Sequence, residues 1–524
     1  MEKRVFIAFA LSLAVLFIFQ YYFQVKFQKT TSPVVEKKST VTMPEETEPK
    51  GPSLKKTEKV LKGKKVIVET DLYRAVIDTS GGKITSLGLK DYTRRKKPPF
   101  QKEDEQFLET IPKGEFYPLE TTGEQLIYQA DREILSLTPK EPTGTLLLQG
   151  ERPGRKIIKR FTFDNRRYGI GLEIEFEGEG QDTEIFLIGF GAKPPEVRMQ
   201  TPEQISVVKD EGIERFRPER IKEEERHITN ATCLTKISQY LISFLKPERG
   251  LTALISREKE TGLIASYLLT PEKASIYRFY YYSGPADYSI IAKEQVGVER
   301  ALPSGPMVIL GRFILKILTF FHRIIPNWGV AIIFMTILVK ILFFPLTRLS
   351  LRTMKTMQKL QPYLKDLSKK YKGNPQGMQK ELFGLYRQYR INPMAGCLPM
   401  LVQIPIFIAI FIMLRTAIVL RGAPFALWIS DLSLPDALFA LKIAGRDFPV
   451  NLLPLFMGAT MFLQQKLSSV ATSPGSEQQK VMAFFMPAML VIFLYNLPSG
   501  LMLYWTVTNL FSLLEQEVAT HHIR

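Results

Sequence analysis

The feature that most constrains this chain is the series of apolar stretches that follows Pro303. A stretch of roughly 20 mostly apolar residues is long enough to cross a bilayer. Inside hydrocarbon the backbone must satisfy its own hydrogen bonds, so such a stretch crosses as a helix. The pattern predicts a multidomain membrane protein with a five-helix C-terminal core, whose spans cover residues 328–346, 396–420, 448–467, 481–497 and 500–518.

The N-terminus carries a further apolar stretch, at residues 1–25. It follows Lys3 and Arg4 and ends in the aromatic run Tyr21-Tyr22-Phe23, without the small-residue cleavage pattern of a signal peptide. We therefore expect an uncleaved N-terminal membrane anchor. Residues 26–63 are rich in Lys, Thr, Glu, Pro and Ser, a composition that cannot bury a core, and are predicted to form a flexible linker.

Charge predicts the orientation of the spans. The chain has a formal net charge of +18, and half of this excess lies between Arg348 and Arg390, where eleven Lys and Arg residues face two acids. Loops with such an excess remain on the cytoplasmic side of a membrane. We therefore expect a multi-pass inner-membrane protein with both termini in the cytoplasm and residues 64–302 in the periplasm. Loop 421–447 would then be periplasmic and loop 468–480 cytoplasmic.

Residues 64–302 have the pattern of a water-exposed β domain. Short runs of high β propensity alternate with turn residues, and Leu172 to Phe176 alternate strictly between apolar and acidic. This pattern predicts an antiparallel sandwich. The region contains no glycine-rich phosphate loop and no nucleophile elbow. The aromatic run Phe279 to Tyr282 is typical of strand packing, with a stacking platform for a sugar as the alternative.

The cysteines and histidines indicate neither a disulfide framework nor a metal site. Cys233 and Cys397 fall in different regions, and the histidines never assemble at ligand spacing. We therefore expect no cofactor and no enzymatic chemistry.

Residues 303–327 form an amphipathic stretch before the second span. Its polar residues Arg312, Lys316, Thr319 and Arg323 are spaced four, three and four apart, which places them on one stripe of a helix. Such a helix suits the plane of the outer membrane surface. The alternative is a true span, which would invert the topology.

Polar residues inside the predicted spans are the strongest candidates for a functional site. Lys340 lies in a long apolar run with Thr336 one turn earlier, and an ionisable residue in a span marks a functional site by default. Gln403 in the next span, and Thr506 and Asn509 in the last, could join them in a hydrophilic groove open to the cytoplasm. The alternatives are that Lys340 extends to the headgroups and that the other residues only bridge helices.

The basic loop, residues 347–394, is predicted to form a cytoplasmic hairpin of two helices, at about 347–371 and 376–389. Its charge could be no more than the orientation signal. It could also bind anionic headgroups or ribosomal RNA. The candidate contact residues are Arg352, Lys355, Lys359, Lys369, Lys370, Arg387 and Arg390.

Specific strings in the C-terminal part resemble the YidC/Oxa/Alb insertase family, in its Gram-negative form with a large periplasmic domain. They are FFPLT (343–347), NPMAGCLPMLVQIPIF (392–407), APFALWISDLS (423–433), MGATMFLQQKLS (457–468), QQKVMAFFMP (478–487) and PSGLMLYWTVTNL (498–510).

The resemblance implies a β-supersandwich for residues 64–302 and a hydrophilic groove that receives other membrane proteins. In the register of FFPLT, Lys340 occupies the family's usual arginine position, and Trp505 occupies the position of a substrate-contacting aromatic. The implied partners are nascent membrane proteins, the Sec translocon, the ribosome and membrane lipids. Because residues after 518 do not form a long basic tail, ribosome contact is expected from the hairpin and loop 468–480.

The predicted function is therefore that of an insertase and chaperone that inserts and folds membrane proteins, alone or with the Sec translocon. One alternative is a secondary transporter, which predicts inverted repeats that the sequence does not show. The other is a membrane-tethered carbohydrate-active protein, which the β domain would suit.

Overall fold

The computed structural model describes residues 63–93, 107–111, 117–121, 126–152, 154–178, 185–192, 203–217, 225–258, 262–271, 274–294, 296–371, 374–389, 398–443, 446–468 and 477–521. The predicted anchor at 1–25 lies outside the described residues, as does the predicted linker up to residue 62.

Strands fill residues 63–302, here called the β region, and one further pair lies near the C-terminus. In chain order they are β1 (Lys65–Glu69), β2 (Tyr73–Asp78), β3 (Lys83–Thr93), β4 (Phe107–Glu109), β5 (Gln129–Ala130), β6 (Ile134–Ser136), β7 (Thr143–Arg152), β8 (Arg155–Asp164), β9 (Gly169–Gly178), β10 (Ile185–Ala192), β11 (Gln204–Lys209), β12 (Gly212–Phe216), β13 (Glu225–Ala231), β14 (Cys233–Ile237), β15 (Leu241–Pro247), β16 (Leu251–Glu258), β17 (Gly262–Leu269), β18 (Ala274–Pro285), β19 (Ala437–Ile443) and β20 (Arg446–Asn451).

Helices dominate residues 306–521, here called the helical region. In chain order the helices are α1 (Tyr288–Glu294), α2 (Pro306–Ile324), α3 (Trp328–Lys359), α4 (Gln361–Lys370), α5 (Pro375–Gln388), α6 (Leu398–Thr416), α7 (Leu452–Ser468), α8 (Glu477–Leu494) and α9 (Ser499–His521), with short 3-10 turns at Val298–Ala301 and Ile418–Leu420.

The β region has three sheets with one shared core. Among the described strands, a nine-stranded sheet has the order β12-β11-β14-β15-β18-β9-β8-β7-β5, a five-stranded sheet β4-β3-β2-β1-β6 and a four-stranded sheet β10-β17-β16-β13. The pairing of β1 with β6 is parallel, and the other pairs are antiparallel. All three sheets contribute side chains to one contiguous apolar cluster, including Val68, Phe161 and Leu263.

Strand β9 illustrates how the sequence produces these sheets. Leu172, Ile174 and Phe176 are buried, while the intervening glutamates face outward, as the alternation predicts. The outward Glu173 accepts hydrogen bonds from Arg160 and Arg278 on the two neighbouring strands, at 2.7 Å each. Opposite charges across strands stabilise the pairing of β8, β9 and β18.

The aromatic run on β18 packs into the core. Tyr281 and Tyr282 are fully buried, and Tyr282 stacks on Phe244 of β15 with ring centroids 4.9 Å apart. The packing interpretation of this run is therefore correct, and these rings form no exposed sugar platform.

The expectation of a purely β domain needs one correction, because α1 lies within it. The Asp287 carboxylate accepts hydrogen bonds from the backbone N–H and the hydroxyl of Ser289, which caps the first turn. Glu294 at the other end is buried and accepts hydrogen bonds from the Tyr280 hydroxyl and the Tyr168 backbone N–H. These contacts fix α1 against the nine-stranded sheet.

One lysine is fully buried in the β region. The Lys159 ammonium on β8 donates to the carbonyls of Gly81, Gly82 and Leu119 at 2.8, 3.1 and 2.8 Å. Burial lowers the pKa of Lys159 to about 7, and the nearby Glu120 carboxylate partly opposes that shift. The lysine thus ties the turn after β2 and the segment before β5 to the nine-stranded sheet.

Among the described residues, one helix is long and apolar enough to cross a bilayer by itself, over Trp328–Met357 of α3. Two shorter apolar helices cover Leu401–Thr416 and Phe485–Leu494. The number of C-terminal spans therefore remains a prediction.

The helix boundaries differ from the predicted spans at two places. Helix α3 continues past residue 346 to Lys359, because Pro345 removes only one backbone donor and the turns on either side keep theirs. Residues 448–451 belong to strand β20, so α7 begins only at Leu452. There the Asp436 carboxylate accepts hydrogen bonds from the Leu452 and Leu453 N–H groups at 3.0 and 2.7 Å, which satisfies the free donors of the first turn.

Close backbone contacts hold the helical region together. A side chain at Gly311 of α2 would meet the Ala409 carbonyl oxygen at 3.0 Å, so the glycine allows α2 to lie directly on α6. At the start of α3, the side-chain Oδ1 of Asn327 accepts from the Val330 N–H at 3.0 Å, and its Nδ2 donates to the Phe425 carbonyl at 2.8 Å. This double contact caps α3 and joins it to the loop after α6.

Replacing Lys159 by Met should change how the stability of the β region depends on pH. The unfolded chain restores the lysine pKa to about 10.5, so above pH 7 the unfolded state binds the extra proton and unfolding becomes less favourable. We expect the free energy of unfolding to rise by roughly 1 kcal/mol per pH unit between about pH 7.5 and pH 9. Above that range the Cys233 thiol, whose pKa burial raises, acts in the opposite direction.

The measurement is urea unfolding of residues 63–302, followed by circular dichroism at several pH values. Lys159→Met should lack the slope. Lys156→Met changes a partly exposed lysine on the same strand and should retain it. A wild-type curve that is flat over this range would contradict the assignment.

Candidate functional site

A small polar cavity lies between α3, α6 and α9. Its volume is about 40 Å³, room for roughly three water molecules. Its lining combines apolar side chains with hydroxyl, amide and ammonium groups, namely Thr336, Val339, Lys340, Phe343, Leu346, Thr347, Val402, Gln403, Ile406, Tyr504 and Thr508. The structure therefore brings Thr336, Lys340 and Gln403 together.

Lys340 is held inside the helical region by α9. Its ammonium donates to the Ser512 hydroxyl at 2.6 Å and forms an ion pair with Glu515 at 3.3 Å. The lysine and glutamate side chains are only 15% and 10% exposed. The ammonium is therefore directed at α9.

The depth of Lys340 follows from its position in α3. At 1.5 Å per residue it lies about 18 Å along the helix from Trp328, in a hydrocarbon layer of about 30 Å if Trp328 lies at one interface. An unpaired charge at such a depth would be costly, and pairing with Glu515 offsets that cost.

A polar stripe on α9 forms the opposing wall. Tyr504, Thr508, Ser512 and Glu515 are spaced four, four and three apart, so they lie on one face of the helix. The Ser512 hydroxyl donates to the Thr508 carbonyl at 3.0 Å and accepts from Lys340. The Ser512 hydroxyl therefore links the α9 backbone to the Lys340 ammonium.

Gln403 and Thr336 complete the cavity from the other two helices. The Gln403 amide of α6 donates to the hydroxyl of Tyr504, whose side chain is 1% exposed. The Thr336 hydroxyl donates to the Ile332 carbonyl one turn earlier, at 2.7 Å. Thr336 is fully buried, so it narrows the end of the cavity away from the ion pair.

Two of the predicted groove residues on α9 do not line this cavity. Asn509 is buried against α7, where its amide donates to the Thr460 hydroxyl at 3.2 Å. The Thr506 hydroxyl donates to the Met502 carbonyl of its own helix. At 100° per residue these two positions are about 140° and 200° around the helix from Tyr504, so the expectation that they line the groove beside Lys340 is not met.

Trp505 borders the cavity region without lining the cavity. It is partly exposed and packs edge-on against Phe407 of α6, with ring centroids 4.9 Å apart. It therefore presents an aromatic surface beside the polar pocket.

Sequence reasoning missed the partners of the lysine, Ser512 and Glu515. The sequence pattern that could have identified them is the spacing of polar residues along α9 from Tyr504 to Glu515. An acid near the end of a predicted span is easily attributed to its aqueous end. Only the packing of α3 on α9 identifies Glu515 as the counter-ion.

The basic hairpin residues fall on three helices. Arg352, Lys355 and Lys359 lie on the C-terminal half of α3, Lys369 and Lys370 end α4, and Arg387 lies in the last turn of α5. Arg390 lies outside the described residues.

The hairpin turns at two prolines. Leu360, with Pro362 following, separates α3 from α4, so the predicted first hairpin helix at 347–371 is two helices. The side chain of Asn374 accepts from the Gly377 N–H at 3.0 Å and caps α5, which begins at Pro375.

The cations of the amphipathic helix share one face of α2, as predicted. Arg312, Lys316 and Arg323 all line a second and larger cleft, between α2, the end of α6 and α1 of the β region. This cleft is separate from the cavity around Lys340.

Comparisons with known proteins match the whole described architecture. One family model, described as the YidC periplasmic domain, matches residues 65–317, and another, described as a 60Kd inner membrane protein, matches residues 320–524.

Individual relatives match over most of their length. The membrane protein insertase YidC of Syntrophus aciditrophicus is 32% identical over 558 residues, covering 98% of this chain and 99% of the relative. That of Syntrophobacter fumaroxidans is 31% identical, covering 87% and 86%. A solved structure of an active YidC insertase with its first transmembrane domain resolved is 18% identical and covers 87% of this chain and 92% of its own, with a TM-score of 0.37. On its sequence relatives, the chain belongs to the YidC family of membrane protein insertases.

Proposed function

We propose that this protein inserts other proteins into the inner membrane and that the cavity around Lys340 receives the polar segment of the substrate. The observation that carries the proposal is the paired charge of Lys340 and Glu515 inside an otherwise apolar helical region. Relatives that match nearly the whole chain are named insertases, which favours this function over a transporter or a carbohydrate-active protein.

The polar pocket would lower the barrier to moving a hydrophilic tail. A charged residue at the centre of a bilayer costs roughly 3 kcal/mol on insertion scales. A site that supplies an ammonium, an amide and hydroxyls part of the way across replaces some of the missing hydration. The apolar segment of the substrate then drives the step as it enters lipid, because burial of apolar surface is favourable.

In the absence of substrate, Glu515 would occupy the position beside Lys340 that a carboxylate of the substrate takes during insertion. The cavity is far smaller than a polypeptide helix, which is about 10 Å wide with its side chains, so α3 and α9 must part to admit one. Parting them breaks the Lys340–Glu515 pair, which is costly unless another anion replaces Glu515. A carboxylate in the substrate tail meets that need.

Lysine in place of arginine alters the form of this interaction. An ammonium is a point charge with three donors, whereas a guanidinium offers a planar fork for bidentate contact. Ser512 and Glu515 take two of the three donors, and the third would be available to a substrate. Charge attraction to an acidic tail would survive the exchange, while a bidentate geometry would not.

The aromatic surface of Trp505 and Phe407 would guide the apolar part of the substrate. It lies beside the polar pocket and is partly open. Asn509 would instead hold α9 to α7 through its hydrogen bond to Thr460, and the Thr506 hydroxyl would bond only to the backbone of α9.

We further propose the orientation that the charge pattern predicts, with both termini and the hairpin cytoplasmic and the β region periplasmic. The hairpin cations would then contact the ribosome, and the Sec translocon would be a partner for substrates with large periplasmic parts. The clustering of Lys369 and Lys370 at the end of α4 supports an RNA contact.

Reversing the charge at Lys340 should block insertion of an acidic tail. In proteoliposomes, Lys340→Glu should lower the insertion rate of a single-span substrate with an acidic N-terminal tail by about tenfold, equivalent to ~1.4 kcal/mol, because it repels both the tail and Glu515. Protease protection of the tail measures insertion. Insertion of a substrate with a neutral tail should fall much less.

Two variants guard this experiment. Lys340→Arg keeps the charge and should insert the acidic tail at close to the wild-type rate. Lys442→Glu makes the same charge reversal on the exposed strand β19, away from the cavity, and should have no effect. Equal insertion by Lys340→Glu and wild type would refute the charge mechanism.

A double-mutant cycle should reveal the strength of the ion pair. Lys340→Met and Glu515→Gln should each lower the thermal stability of the detergent-solubilised protein, because each leaves a buried partner unpaired. The combined variant should be destabilised by less than the sum, with a coupling energy of about 2 kcal/mol. Additive effects would mean that the pair does not hold α3 to α9.

Removing hairpin charge should weaken ribosome binding. Lys369→Gln with Lys370→Gln should reduce affinity and flatten its dependence on log salt concentration by up to ~2 units, about one for each phosphate that a lysine no longer neutralises. Co-sedimentation at several salt concentrations gives the slope. The pair Lys64→Gln and Lys65→Gln removes the same charge from the β region and should leave the slope unchanged.

A further inference from the structure

The larger cleft between the β region and the helical region carries an excess of positive charge. Its volume is about 930 Å³, and it lies between α1, α2 and the end of α6. Arg312, Lys316 and Arg323 line it, and Asp287 is the acid among its lining residues. The Asp287 carboxylate, which accepts hydrogen bonds from Ser289, offsets one of the three positive charges, so the lining keeps a net charge of +2.

The three cations differ in how they are held. The Arg312 guanidinium donates to the Pro303 carbonyl at 2.9 Å and lies over the Tyr288 ring at 4.8 Å, which fixes it across the mouth of the cleft. Lys316 and Arg323 form no hydrogen bond or ion pair with another residue of the described chain. Two charges are therefore presented to the cleft with their donors free.

An exposed apolar flank borders the cationic stripe on the same helix. Ile309, Phe313, Phe320 and Ile324 are between 59% and 64% exposed. Ile309, Phe313 and Phe320 also line the cleft, beside Ile412 and Met413 of α6. At 100° per residue this flank lies about 60–120° around α2 from Arg312, so cations and exposed apolar side chains are neighbours.

We propose that the cleft binds one anionic membrane phospholipid. Its phosphodiester accepts hydrogen bonds from Lys316 and Arg323, while its acyl chains run along Phe313, Phe320 and Ile309 into the bilayer. The cleft is within the size range of pockets that enclose most of a small ligand, enough for a headgroup, the glycerol and the first part of the chains.

The charge selects the headgroup class. With three cations and one carboxylate, the lining of the cleft has a net positive charge. It therefore attracts a lipid with net negative charge, such as phosphatidylglycerol. The ammonium of phosphatidylethanolamine would meet the same cations and be repelled. The bound lipid would bridge α1 of the β region and α2, and so hold the two regions at the membrane surface. This proposal does not depend on the function proposed for Lys340.

The test is photo-crosslinking of the full chain in nanodiscs. The discs contain phosphatidylcholine with a minor fraction of photoactivatable phosphatidylglycerol, and peptide mapping locates the crosslinks. We expect a crosslink on residues 306–324 that unlabelled phosphatidylglycerol competes away and that phosphatidylethanolamine does not. Lys316→Gln with Arg323→Gln should lower the apparent affinity of the site for phosphatidylglycerol by roughly 30-fold, because neither side chain then offers a positive charge to the headgroup. The crosslink should weaken accordingly.

Matched variants distinguish a specific lipid-binding site from general electrostatic attraction between the protein and anionic lipid. Lys293→Gln with Arg300→Gln removes the same charge from exposed positions near the cleft and should leave the crosslink unchanged. Lys316→Arg keeps the charge and should retain the crosslink, which shows that the positive charge and not the lysine side chain as such is required. Equal crosslinking by the cleft variant and this control, or equal competition by the two lipids, overturns the proposal.

Discussion

A pair of opposite charges in an apolar helical interior constrains where the helices of this protein can go. Lys340 and Glu515 are each too poorly exposed to be hydrated alone, so neither can leave its partner without a replacement. Because one residue is on α3 and the other on α9, the pair fixes the distance between the two helices. The small size of the cavity follows from that distance, and so does the requirement that an incoming chain bring an anion of its own.

The same helices are held differently at their other ends. There the loop after α6 supplies backbone and carboxylate partners: Asp436 accepts from the first turn of α7 and from the Trp428 indole, and the Ser499 and Gly500 N–H groups donate to loop carbonyls. Asn327 joins the start of α3 to the same loop. Such short-range bonds to backbone leave little freedom. Around the ion pair, in contrast, both partners of the contact between α3 and α9 are side chains.

The sequence predicted features that depend on local pattern and missed those that depend on packing. Alternation revealed β9, and an amphipathic stripe revealed α2 to within three residues at each end. Lys340 and Gln403 could be chosen because polar residues are rare in apolar spans. The rotation of α9 about its axis could not be predicted from sequence. Thr506 and Asn509 lie on one face of the helix, and only the position of α7 shows that this face turns away from Lys340. Strands such as β14 and β17 lack clear alternation because both of their faces are buried.

Helix α3 passes without interruption from the capped end at Trp328, past Lys340, to Lys359 beside the basic hairpin. At 1.5 Å per residue its 32 residues form a rod about 48 Å long. Lys340 and the hairpin residues Arg352, Lys355 and Lys359 therefore lie on one continuous helix. The weak point of the rod is Pro345, which cannot donate to the Ile341 carbonyl and lies five residues beyond the charge. If the hairpin engages a partner as proposed, a displacement of the hairpin would reach the Lys340–Glu515 pair through this one helix.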